Sequence, residues 1–355
     1  MVTESDNIVA ETAARIFADL ADPQTINKAR DDAWKDRLWR ALVEAGLTLA
    51  WVPEHMGGAG GSLAGAFAIV AAAGRSALPV PLSETLLGGW LLARAGIEVP
   101  AGAMTVAPAR PRDRVTQNAD GTLSGTVRGI PFAKDAQHIA VVASAGKGAT
   151  IALVKTADCR VNEGQNLAGD ASDTVTFDHT KIVRSAPALV GFDQTAPMLM
   201  GATVRSLQIA GALETILAMS VAYANERVAF ERKIGKFQAV QQNLARLAGE
   251  TAAALAAAGS AADAIAQDGV LGDAVILETA SAKIRSGEAA AEGAGIAHQV
   301  FGAIGFTNEH VLHRFTLRLL SWRDDFGNES HWAATLGGMV AARGANQFWP
   351  MLAAR

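Results

Sequence analysis

The stretch ANERVAFERKIGKFQAVQQNLA, residues 224–245, decides the fold. It joins two long apolar-periodic runs, and Gly235 interrupts it. The spacing predicts one helix over 200–230 and another over 238–267. Arg227 and Phe230 stand three residues apart, so a continuing helix places them on one face. Gln238 opens the second helix. A corner of this kind presents a cation, a ring and an amide together. A guanidinium fork donates several hydrogen bonds to a phosphate at once. Phe can cover a flat base, and Gln can satisfy polar edges. The same residues also suit a solvated Arg, a core Phe and a capping Gln.

Downstream, helical periodicity continues over 271–297 and 307–322, with a last segment from 330. Short connections between these runs predict a four-helix bundle over residues 196–355. Upstream, residues 101–195 change texture. Short β-branched runs such as DGTLSGTVRG, HIAVVASAGKG, ATIALVKT and SDTVTFDHTKIV lie between turn signals. Asp120-Gly121 and Gly146-Lys147-Gly148 suit hairpins, so this part reads as a compact antiparallel β domain. Residues 1–100 read as helices again. IVAETAARIFADLA and DDAWKDRLWRALVEAGL carry the periodicity, and Gly46 stops the second. VPEHMGGAGGSLAGAF is a Gly-rich loop running into a further helix. Pro79 and Pro81 mark a turn, with Ser83 as the expected N-cap of the next helix. The predicted class is α+β, mainly α.

Composition narrows the function. Of 355 residues, 50% are hydrophobic but only 6% aromatic, which favours close-packed helices built from Ala, Leu, Val and Ile. The net charge of -4 gives no basic footprint for nucleic acid. A lone cysteine, Cys159, excludes an internal disulfide framework and fits a reducing cytoplasm. The acidic, polar start MVTESDNIVAETAARIF does not read as a secretory signal. No run supplies the roughly 20 uninterrupted apolar residues of a membrane span. No metal site is expected.

A second element, AHQVFGAIGFTNEHVLHR at residues 297–314, places Gln299 before Gly302 and Gly305, with Thr307 positioned to cap the next helix. Glycines let backbone N–H groups approach a phosphate closely, and a helix start favours negative charge. An ordinary helix-to-helix turn with a Gly C-cap reads equally well here.

Together these segments resemble the acyl-CoA dehydrogenase family. LWRALVEAGLTLAWVPEHMGGAGGSLAGAFAIV looks like that family's N-terminal helical region, TVTFDHTKIV like part of its middle region. ANERVAFERKIGKFQAVQQNLARLA and QVFGAIGF are similar to its two most recognisable C-terminal motifs. The resemblance implies FAD as cofactor and α,β-dehydrogenation of an acyl-CoA thioester. It also implies an electron-transferring flavoprotein as acceptor and a tetramer. Arg227, Phe230, Gln238, Gln299, Gly302 and Gly305 would then reach across a subunit interface to the adenosine and pyrophosphate part of an FAD bound mainly by the neighbour.

Two departures from the family pattern stand out. The family's base is a Glu shortly after the Gln-Gly loop, and the aligned slot in SWRDDFGNESHW holds Gly327. The alternative slot, on the first bundle helix, holds Gly201. Glu329 is the nearest candidate for a relocated base, with Asp324 and Asp325 beside it; His298 and His331 read as ordinary polar helix residues. The strands that hold the flavin ring are also altered: only Ala107-Pro108 survives in MTVAPARPRDR, and Ile130-Pro131-Phe132-Ala133 replaces the second strand. The pattern fits the base-lacking subunit of a heteromeric α2β2 acyl-CoA dehydrogenase acting on fatty or steroid-side-chain thioesters. Two alternatives stay open: a self-sufficient homotetramer using Glu329 or Asp325, and a flavin-free scaffold of the same fold.

Overall fold

A computed structural model describes residues 4–146 and 148–353. Five helices come first: α1 (Glu4–Leu20), α2 (Pro23–Asn27), α3 (Ala33–Glu44), α4 (Leu63–Arg75) and α5 (Leu82–Arg94). Helix α5 starts one residue before Ser83, with Pro81 at its cap position, so Ser83 lies inside the first turn and is not the N-cap. Proline locks the backbone for helix entry, and the Thr85 hydroxyl takes the Pro81 carbonyl at 2.7 Å.

Strands β1 (Met104–Ala107), β2 (Thr116–Gln117), β3 (Leu123–Pro131), β4 (His138–Ala145), β5 (Gly148–Lys155), β6 (Arg160–Asn162), β7 (Ser172–Thr180) and β8 (Arg184–Pro187) follow. They form one sheet in the order β6-β7-β3-β2-β4-β5-β8, with β1 beside β4. The expected hairpin turn at Asp120-Gly121 joins β2 to β3. The β4–β5 hairpin also forms, although Lys147 at its turn lies outside the described residues. The sheet is mixed, not purely antiparallel: β1 and β2 both run parallel to β4. Parallel pairing needs a crossover, and the long connection through residues 108–137 supplies one.

The remaining elements are α6 (Thr195–Glu226), a short hairpin of β9 (Val228–Ala229) and β10 (Arg232–Lys233), α7 (Gln238–Asp268), α8 (Asp273–Phe301), α9 (Leu312–Trp322), α10 (Glu329–Arg343) and α11 (Phe348–Ala353). Helices α6, α7 and α8 pack on one another, and α4 lies against α6. That crossing explains the Ala- and Gly-rich composition. A Cβ on Gly74 would sit 2.3 Å from the Gln208 carbonyl oxygen, and one on Gly211 would sit 2.3 Å from that of Ala71. The two backbones touch, and only small residues allow it. By length and composition α6 alone among the described helices is apolar enough to cross a membrane. Its residues 196–206 are buried inside the protein, with the charged Arg205 among them.

Candidate functional site

Helix α6 ends at Glu226, earlier than its periodicity suggests. The Arg227 amide still donates to the Tyr223 carbonyl at 2.8 Å, but the Arg227 carbonyl accepts from the Ile234 amide at 2.8 Å. That bond closes the β9–β10 hairpin and takes the acceptor that a continuing helix would use. Phe230 and Glu231 form the hairpin tip, both at positive φ, 50° and 63°. Arg227 and Phe230 therefore do not share a helix face. Phe230 is 90% exposed, held edge-on to Phe237 with ring centroids 6.3 Å apart. Gln238 is the first residue of α7, as its spacing from Gly235 suggested, and it is exposed along with Arg227.

The structure brings this hairpin beside the Gln299 loop. Tyr223, one turn before Arg227, stacks on Phe301 at 4.4 Å, and its hydroxyl donates to the Phe301 carbonyl at 3.4 Å. Gln299 is exposed on the last turn of α8. Gly302 has φ 64° and open space where a side chain would stand. Gly305 differs: a Cβ there would press on Phe301, Leu312 and His298, at 3.0 to 3.3 Å, so its reason is interior packing. Thr307 does not cap a helix start. Its hydroxyl donates to the Ile304 carbonyl at 2.9 Å, closing a short 3-10 turn over Gly302–Phe306, and α9 begins only at Leu312. His298 stacks on Phe306 and lies 3.0 Å from the Thr316 hydroxyl through Nε2. Burial and the nearby His313 lower its pKa, which suits a neutral packing role.

The two slots for a base are both crowded by aromatic side chains. A Cβ on Gly201 would lie 2.3 Å from the Phe326 ring. Gly327 has φ 91°, and a Cβ there would lie 2.6 Å from His331 and 2.8 Å from the Trp332 indole nitrogen. Phe326 is fully buried. Its amide donates to the Ala109 carbonyl at 3.1 Å and its carbonyl accepts from the Trp332 indole at 3.0 Å. A Cβ in either slot would clash with a neighbouring aromatic side chain.

Two of the nearby acids, Glu329 and Asp325, are held in ion pairs. Glu329 Oε1 accepts from Arg323 Nε at 2.6 Å and lies against Gly287 of α8. Asp325 accepts from Arg205 at 2.9 Å. Asp324 is exposed. A general base contributes roughly 100- to 10,000-fold to turnover. Glu329→Gln is therefore expected to leave the steady-state rate of the assembled enzyme within about twofold; a loss of ~100-fold would make Glu329 the base.

Sequence reading missed a buried ionic cluster behind the Phe326 ring. Arg205, 2% exposed, donates to Glu84 at 2.6 Å, to Gln208 at 2.6 Å and to Asp325 at 2.9 Å. Burial works against the Arg205 charge, yet Glu84 and Asp325 together raise its pKa. Burial raises the Glu84 carboxyl despite the pull of Arg205. Lys283, 1% exposed, donates to the Trp322 and Arg323 carbonyls at 3.0 and 2.5 Å and caps the end of α9. Burial pushes its ammonium down to about 7. The available signal was one lone acid in SETLLGGWLL and one lone cation in MLMGATVRSLQIAGA, each inside an apolar helix.

The region aligned with a flavin-ring cradle offers few donors. The Thr105 hydroxyl is committed to the Pro131 carbonyl at 2.7 Å. Pro131 has no amide hydrogen, and Phe132 follows with φ 53° and only 9% exposure. The Arg110 guanidinium covers Gly129, within 2.8 Å of where a Cβ would be. These residues do not fit an isoalloxazine. The exposed Arg227, Phe230, Gln238 and Gln299, with the open backbone at Gly302, do fit the phosphate and base end of a dinucleotide.

Comparison with known proteins agrees on the family. Residues 3–99 match the family model for the acyl-CoA dehydrogenase N-terminal domain and residues 191–324 that for the C-terminal domain. The chain is 29% identical to "Acyl-CoA dehydrogenase IpdE2" of Mycobacterium tuberculosis over 89% of this chain and 91% of that protein. Its fold is similar to a chain of the ChsE4-ChsE5 complex from Mycobacterium tuberculosis, with a TM-score of 0.84, 23% identity and coverage of 96% and 98%. Butyryl-CoA dehydrogenase from Megasphaera elsdenii shares the fold with a TM-score of 0.81 at 20% identity, covering 96% of this chain and 98% of that one.

Proposed function

This chain belongs to the acyl-CoA dehydrogenase family, whose members are FAD-dependent oxidoreductases acting on the CH–CH bond of acyl-CoA thioesters; from that premise we propose that it completes the FAD site of a related subunit and supplies no base of its own. One observation carries the reading. Gly201 is closed by the Phe326 ring and Gly327 by His331 and Trp332, while Arg227, Phe230, Gln238 and Gln299 stand exposed. Arg227 would hold phosphate charge, Phe230 would cover the base, and the two amides would satisfy its polar edges. A bound FAD would supply the hydride acceptor for the substrate β-carbon, and the partner subunit would provide the carboxylate that removes the α-proton.

The substrate would be a fatty or steroid-side-chain thioester of coenzyme A. Two neighbours in fold support a paired assembly: the ChsE4-ChsE5 complex and the "Tcur3481-Tcur3483 steroid ACAD" variant, each with a TM-score of 0.84. The same reading divides the chain into regions 1–100, 101–195 and 196–355, places it in the cytoplasm as part of a tetramer, and passes electrons to an electron-transferring flavoprotein.

Arg227→Ala tests the half-site. Arg227 is exposed and caps α6 through its backbone, so the fold should hold. Losing a charge-assisted phosphate contact should weaken FAD retention in the assembled enzyme by about 10- to 100-fold. Equal retention by variant and parent in equilibrium dialysis would remove Arg227 from the site.

A further inference from the structure

The hairpin that carries Arg227 and Phe230 and the loop that carries Gln299 and Gly302 lie far apart in sequence, and each is closed by its own bonds. Ile234 donates to Arg227 in the hairpin, and Thr307 donates to Ile304 in the loop. Among the described residues one hydrogen bond joins residues 223–238 to residues 298–311: the Tyr223 hydroxyl donates to the Phe301 carbonyl at 3.4 Å. Phe301 is the last residue of α8, and Gly302 follows it. Tyr223 also reaches the hairpin through its backbone, because its carbonyl accepts from the Arg227 amide at 2.8 Å. One residue therefore touches both segments directly beside the groups they expose.

Rings stiffen that joint. The Tyr223 and Phe301 rings stack with centroids 4.4 Å apart and planes 23° apart. Phe301 is buried and also meets the His310 ring at 4.5 Å. His310 is fixed in turn: its Nδ1 accepts from the Leu312 amide at 3.1 Å, and its carbonyl lies 2.7 Å from His313 Nδ1. Burial and the charge of His313 lower the His310 pKa, which suits a ring nitrogen that accepts. The three rings run from the last turn of α6, past the end of α8, to the segment before α9. Packing alone would be served by Phe, of which the chain has 12; its only tyrosine stands here.

We propose that Tyr223 is a positioning residue for the nucleotide half-site, setting the spacing between Arg227 with Phe230 on one side and Gln299 with Gly302 on the other. This rests on the half-site reading given above. Tyr223 acts through its neighbours, since its hydroxyl and its ring are both engaged by Phe301. Contacts from two segments act together on one ligand only when the spacing is set before the ligand arrives.

Two variants test this: Tyr223→Phe keeps the stack, and Tyr223→Leu removes it. Amide hydrogen exchange on the full chain needs no flavin. Tyr223→Leu should speed exchange at the Ile234 and Thr307 amides by about tenfold, and Tyr223→Phe by about threefold or less. The Val183 amide, bonded to Leu153 in the sheet, is the control for general loss of stability. In the assembled enzyme, the FAD concentration that gives half-maximal turnover should rise about tenfold in Tyr223→Leu and about threefold or less in Tyr223→Phe. Combined with Arg227→Ala, Tyr223→Leu should cost less than the product of the two single effects, because both act on one contact set. FAD binding weakened by Arg227→Ala but untouched by Tyr223→Leu would overturn the proposal and leave the half-site standing. FAD binding untouched by either would remove the half-site, and the proposal with it. Unchanged exchange at Ile234 and Thr307, an equal rise at Val183, or fully multiplicative effects with Arg227→Ala would each overturn the proposal as well.

Discussion

Replacing Arg205 with alanine should cost about 3–5 kcal/mol of folding stability, read from denaturant midpoints, because breaking a buried ion pair strands the other charge. Arg205 and Glu84 are each 2% or less exposed, and the guanidinium joins α5, α6 and the segment that carries Asp325. Removing it leaves Glu84 without its cation in a site where burial already raises the carboxyl. An acid whose folded pKa lies above its unfolded value binds protons more readily when folded. Its unfavourable contribution is therefore present at neutral pH and relieved as pH falls toward and through the raised folded value. The variant should recover part of the loss on going from neutral to mildly acid pH. Pairing it with Glu84→Gln should recover part of it at neutral pH as well. A loss under ~1 kcal/mol would mean that the cluster is hydrated rather than dry.

Phe326→Ala should cost a comparable amount, about 3–5 kcal/mol, for a buried ring whose cavity the surroundings fill only partly. The ring packs on Gly201 and lies 5.8 Å from the Arg205 guanidinium. Phe326→Leu should cost less, since much of the volume remains. Neither change creates a base, so the assembled enzyme should show no new turnover from this chain. A Phe326→Ala protein with unchanged stability would show that the ring does not fill the space beside Gly201.

Much of the molecule was legible in the sequence. The mainly helical α+β class follows from periodicity that switches from helical to β-branched at about residue 100 and back near 198. The early end of α6 was not legible, because the hairpin turns on a long-range choice: the Arg227 carbonyl bonds to Ile234 instead of continuing the helix. The parallel pairing of β1 and β2 with β4 was hidden too, since alternation shows which face is buried and not which strand lies alongside. The residue types of the proposed half-site could be read directly, whereas Gly305 was assigned an approach to phosphate that packing against Leu312 and Phe301 explains instead. The Glu84–Arg205–Asp325 cluster was the least accessible feature. A single charge in an apolar helix signals that a partner exists, but its identity depends on how three distant segments meet.

The account stands on flavin stoichiometry. The chain purified alone should be colourless and inactive toward acyl-CoA thioesters. Purified with a related subunit that carries an intact base, it should yield about one FAD per pair of chains, since one cradle of each pair fits the ring. A lone preparation that carries its own flavin and is bleached by an acyl-CoA would contradict it.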